Sequence, residues 1–167
     1  MMVWLLAAML AQAPPSTTVA RPLKAKLHRG VPPTLSQIDA ARQKAKARGL
    51  ALAGVQVALD AKALSKGRWH KLTDGRSVWL LQVESPGAKA LRVQFRDFAV
   101  GQGQLWVHAA DEAGSPFTGP FTGRGPHGDG EFWTDVVNAA KVTLEFVPEG
   151  GKPVKLPFGV RAISHQL

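Results

Sequence analysis

The 167-residue sequence contains no cysteine. That absence excludes disulfides, cysteine-ligated zinc and thiol nucleophiles together, and leaves any exported form held by its core alone. Catalytic signatures are also missing. There is no Gly-x-Ser-x-Gly elbow and no Gly-Asp-Ser-Gly-Gly-like run, and His28, His70, His108, His127 and His165 are scattered without triad or zinc spacing. After residue 50 no long helical pattern occurs, so crossover helices, and with them a parallel α/β architecture, are excluded.

What is present is a globular composition: 45% hydrophobic residues, 20% charged, and a mean hydropathy near zero. The length suits one domain and a short extra segment. The start, "MMVWLLAAMLAQAPPS", has an uncharged run from Val3 to Ala11 and then the small-x-small triplet Ala11-Gln12-Ala13. This predicts a signal peptide over residues 1–13 and export to the periplasm or medium, although no Lys or Arg precedes the run and Pro14 would follow the cut. The run is about half of the roughly 20 apolar residues a membrane span needs, so no transmembrane segment is expected.

Charge is uneven. Between Pro14 and Leu52 stand eight basic residues and one acid, Asp39, which supply seven of the nine net positive charges. The segment lacks aromatics on which bases stack, so nucleic acid is not the expected partner, and a solvated basic arm is. Residues 14–33, rich in Pro, Ser and Thr, read as an extended linker. Residues 34–49 read as one short amphipathic helix: Thr34 and Gln37 have capping-box spacing, Leu35, Ile38, Ala41 and Ala45 form a stripe, and Gly49 ends it. With two large apolar residues, that helix is expected to rest on the surface.

From residue 52 to 165 the period is two. "GVQVALD", "SVWLLQVES", "ALRVQFRDFAV", "QLWVHAA", "EFWTDVV", "KVTLEFV" and "VKLPFGVRAI" alternate, with turn clusters such as "ESPGAK" and "PEGGKP" between most of them. About seven short strands predict an all-β antiparallel sandwich or barrel. Alternation places Trp79, Leu81 and Val83, Leu91, Val93 and Phe95, Leu105 and Val107, and Val142, Leu144 and Phe146 inside. Trp106 faces out, with Lys141, Thr143 and Glu145. Phe98 breaks the parity, which predicts a bulge near Asp97 or the end of the strand.

The stretch "GPFTGRGPHGDGEFW", Gly119 to Trp133, gathers Arg124, His127, Asp129 and Glu131 among glycines. A phosphate loop would run into a helix, but this one runs into a strand, so nucleotide binding is not expected. Asp129 and Glu131 at i and i+2 suggest a glycosidase pair, but no sheltered cleft is indicated for a neutral acid. Calcium is the metal considered, with Asp111, Glu112, Asp129 and Glu131 as oxygen ligands. The spacing does not form a ligand loop, so no metal or cofactor is expected. The physical reading is a long turn whose glycines take positive φ, anchored by Phe132 or Trp133.

In order, Trp79 after an Asp-Gly turn, Ser85-Pro86-Gly87-Ala88, Phe95-x-x-Phe98, the Gly119 to Trp133 block and the final "FGVRAISH" resemble the non-catalytic N-terminal β-sandwich of secreted bacterial trypsin-like and lysyl-endopeptidase-like proteases. The resemblance spans Leu52 to His165 and implies a jelly-roll-like accessory domain with no peptidase activity of its own. The expected function is therefore an exported, monomeric, non-catalytic module that recognises protein or polysaccharide through end loops. Trp106, Arg124, His127, Asp129 and Glu131 are its candidate contact residues. The alternative is a pro-region-like or inhibitory partner of a separately encoded serine protease, or the remnant of a protease gene.

Overall fold

A computed structural model of the chain describes residues 12–19, 23–109 and 114–167. Apart from Gln12 and Ala13, the expected signal peptide lies outside the described residues, as do Asp111 and Glu112.

The alternating segments form two packed sheets. One has six strands in the order β1 (Lys26–Arg29), β4 (Ser77–Glu84), β9 (Lys141–Val147), β6 (Gly101–His108), β7 (Phe117–Gly123), with β3 (Arg68–Lys71) also paired to β4. The other has four, in the order β2 (Gly54–Ala58), β10 (Gly159–Gln166), β5 (Ala90–Arg96), β8 (Phe132–Trp133). Facing side chains of the two sheets make the main core. Phe95 stands at its centre, 5.3 Å from Phe132, 5.6 Å from Phe98 and 5.8 Å from Phe158 between ring centroids. All the residues that alternation places inside are buried here. Offset and edge-on aromatic packing of this kind adds about 0.5–1.5 kcal/mol per pair beyond area burial.

The parity break at Phe98 is the end of β5. Asp97 takes a left-handed φ of 50°, and the Phe98 amide donates to the Gly130 carbonyl at 3.1 Å. The chain thereby turns one residue early and still buries Phe98.

Three strands escape the sequence pattern. β1 and β3 are four-residue, polar segments, and β7, "FTGPFTG", reads as a turn because of its glycines and proline. They pair because β4 offers hydrogen-bonding partners to β1 and β3, and β6 offers them to β7. β1 also departs from the antiparallel expectation. It runs parallel to the C-terminal half of β4, from Lys26 opposite Leu81 to Arg29 opposite Glu84, and Arg29 Nε bonds Glu84 Oε2 at 2.8 Å.

Residues 14–33 hold β1 and a 3₁₀ turn, Pro15–Thr18. That turn packs on the outer face of the six-stranded sheet. There Leu72, Val78, Leu80, Trp106 and Val147 form a second apolar cluster, with Val19, Leu23 and Ala25 against it. Thr143 and Glu145, expected to face solvent, are accordingly buried. They point away from the main core as alternation requires, but N-terminal chain takes the place of water.

Helix α1 (Leu35–Ala47) begins with the capping box. Thr34 Oγ1 accepts from the Gln37 amide at 3.2 Å, and Gln37 Oε1 accepts from the Thr34 amide at 2.8 Å. It buries no residue, and Leu35 is 80% exposed. Among the described residues no helix is long and apolar enough to cross a membrane.

Candidate functional site

The Gly119 to Trp133 stretch has a specific task in this topology. It leaves β7, the edge of the six-stranded sheet, and enters β8, the edge of the four-stranded sheet. Crossing between sheets within so few residues requires tight reversals, and Gly123, Gly125, Gly128 and Gly130 all take positive φ, between 59° and 84°. Backbone bonds fix the crossing: Gly125 N to Thr122 O at 3.0 Å, Gly130 N to Arg124 O at 2.9 Å, and Val100 N to Gly123 O at 2.9 Å.

On this framework Arg124, His127 and Asp129 are exposed and Glu131 is half-buried. Arg124 Nη2 reaches the Asp129 carbonyl at 3.4 Å, Asp129 Oδ1 accepts the Glu131 amide at 2.9 Å, and Glu131 Oε1 pairs with Arg161 Nη2 at 3.1 Å. Arg124, Asp129 and Glu131 are therefore linked on an ordered turn, and His127 stands exposed on the same loop. Each carboxylate is engaged by a donor of the protein, and among the described residues no group of three or more His, Asp or Glu is placed to hold a metal.

Trp106 does not belong to this group. It faces away from the main core, as expected, but it is fully buried on the outer face, and its Nε1 donates to the Gln12 carbonyl at 2.9 Å. It is unavailable as a contact surface because residues 12–19 cover it.

The loop is anchored through Phe132, whose ring lies 5.1 Å from Phe98 and 4.9 Å from Phe121. A Cβ on Gly125 would stand 2.6 Å from two Phe132 ring atoms, at a φ of 82°. Gly125→Ala is therefore expected to cost about 1–3 kcal/mol, from a strained backbone and a displaced buried ring. Urea unfolding checks it, and a loss within 0.5 kcal/mol would show that the ring is free to move.

Two buried Ser–His arrangements were not legible in the sequence. Ser85 Oγ lies 2.8 Å from His165 Nδ1, bringing the end of β4 against β10. Burial holds the His165 imidazole below its usual pKa. Ser85 is fully buried, so no substrate reaches it, and among the described residues no carboxylate bonds the ring. The second joins Ser16, Glu145 and His108, all fully buried. Ser16 N donates to Glu145 Oε1 at 2.8 Å, Ser16 Oγ donates to Oε2, and His108 Nε2 lies 2.9 Å from Oε2. Activation of a serine needs the imidazole between hydroxyl and carboxylate. Here the carboxylate is in the middle and takes the serine proton's hydrogen bond itself, so the cluster binds and does not activate.

A third feature is a cleft of about 430 Å³ between α1 and the β2–β10 edge, where Lys44, Arg48 and Arg92 stand over Ala45, Leu50 and Ala53. Among the described residues no carboxylate lines it, so it gathers positive charge.

With this geometry in view, comparison with known proteins gives one finding. The family model described as the lysyl endopeptidase N-terminal domain matches residues 30–167, nearly the whole chain. No curated protein and no solved structure matches.

Proposed function

The chain belongs to the lysyl endopeptidase N-terminal domain family, and on that premise we propose that it is an exported, non-catalytic accessory module that recognises a protein through the loop between β7 and β8. The observation that carries this reading is the polar group of Arg124, His127, Asp129 and Glu131, presented on a turn whose backbone is fixed on both sides. Preorganised polar groups lose little freedom on binding, which favours recognition. A jelly-roll-like relationship to the accessory sandwiches of secreted proteases is part of the same proposal.

Protein is favoured over polysaccharide by the aromatic inventory. Sugar rings are commonly held on exposed aromatic faces, and among the described residues no aromatic is exposed. Trp133, the one beside the loop, is half-buried with Arg92 Cζ 5.7 Å from its ring centroid. A pro-region-like or inhibitory role toward a separately encoded serine protease is the second reading, favoured by the family membership.

The test is capture from culture medium and envelope by the immobilised protein, alongside retention on polysaccharide resins. Recovery of a protein supports the proposal, and identification of that protein as a serine protease selects the second reading. Retention on glycan with no protein recovered would overturn both.

A further inference from the structure

We propose that the outer face of the six-stranded sheet is a peptide-docking site, built for a proline-led serine turn, which the chain's own residues 12–19 occupy. The site has a polar centre and an apolar rim. Glu145 and His108 are the centre, on β9 and β6, and Trp106, Leu80 and Val147 belong to the apolar cluster around it. A fully buried carboxylate on an outward sheet face is costly unless donors satisfy it, and here the occupying segment supplies two of them.

The occupant's chemistry matches the site. Pro14 and Pro15 carry no amide hydrogens, so this part of the turn enters a buried place without donors needing partners. Thr17 closes the turn on itself, its amide and its Oγ1 both donating to the Pro14 carbonyl at 3.1 and 2.7 Å. Ser16 is left with one N–H and one O–H facing the sheet, and each takes a different oxygen of Glu145. At the rim, Trp106 Nε1 and Gln104 Nε2 bond Gln12 O and Oε1 at 2.9 and 3.0 Å. The discriminating contacts are those of Ser16, so the site also suits a chain that begins at Pro14. The partner it fits in trans is a peptide that adopts the same turn, proline followed by a serine whose amide and hydroxyl are both free.

This is separable from the loop between β7 and β8, since Glu145 and Ser16 share no bond with Arg124 or Asp129. The test uses the full chain with a specific protease recognition sequence inserted between residues 20 and 22. The protein is cut while folded, and retention of the N-terminal fragment is followed by native mass spectrometry and gel filtration at micromolar concentration, with circular dichroism reporting the fold. The cut wild type is expected to keep its fragment. Chains carrying Ser16→Ala or Glu145→Gln should release it at least tenfold faster with the sandwich intact. A fragment lost at once from the wild type, equal retention by both variants and wild type, or collapse of the sandwich on cutting would each overturn the proposal.

Discussion

Trp79→Ala is expected to lower the unfolding free energy by about 3–5 kcal/mol, the usual range for truncating a buried aromatic. Trp79 is 2% exposed and lies on β4, the strand that pairs with β1, β3 and β9. Its ring meets Phe158 edge-on at 5.8 Å, tying the six-stranded sheet to the chain that enters β10. The indole also rests against Gly67, where an added Cβ would stand 2.1 Å from the ring. The side chain is thus enclosed, and its removal leaves a cavity in the packing between the sheets. Since domains are stable by roughly 5–15 kcal/mol in all, this variant is expected to be only marginally folded. Urea unfolding followed by circular dichroism measures it, and a loss below 1 kcal/mol would contradict the packing described.

Glu145→Ala is the second large expectation. Truncation leaves the Ser16 amide, the Ser16 hydroxyl and His108 Nε2 without their common partner in a buried place. Leaving a buried polar group without its acceptor costs about 1–3 kcal/mol for each group that stays buried. Here they have an escape, because undocking of residues 12–19 returns them to water and caps the loss. The expected result is therefore local. Hydrogen exchange should rise sharply in residues 16–19 and along β6, while β5 and β10 keep their protection. Uniform loss of protection across both sheets would show that the N-terminal turn is an integral part of the sandwich core.

Much of the architecture was legible because the sandwich core obeys strict alternation. Leu91, Val93 and Phe95 read as inward and are inward, and the break at Phe98, which leaves a bulge or the strand's end open, is the end of β5, whose last residue is Arg96. The rest was hidden for physical reasons. β7 is a strand by virtue of its pairing with β6, while its own residues, two glycines and a proline among seven, carry turn propensity. Glu145 sits in the pattern "KVTLEFV" where a solvent-facing residue belongs. Nothing local distinguishes it from an ordinary surface acid, since its burial depends on Ser16, 129 positions earlier in the chain. Trp106 follows the same rule: period two assigns its face of the sheet, but not what covers that face. By contrast, the glycines between β7 and β8 and the anchor at Phe132 were readable, because positive-φ turns and a buried exit residue are local requirements.

The central claim is that recognition, without catalysis, resides in the loop between β7 and β8. Quantitative capture from the medium with the wild type and with Arg124→Glu tests it most directly, since Arg124 is exposed and its side chain makes one long bond to the loop. The wild type should recover a protein partner, and the variant, with an unchanged circular dichroism spectrum, should recover at least tenfold less, equivalent to about 1.4 kcal/mol of binding. Equal recovery by the two proteins would contradict the claim.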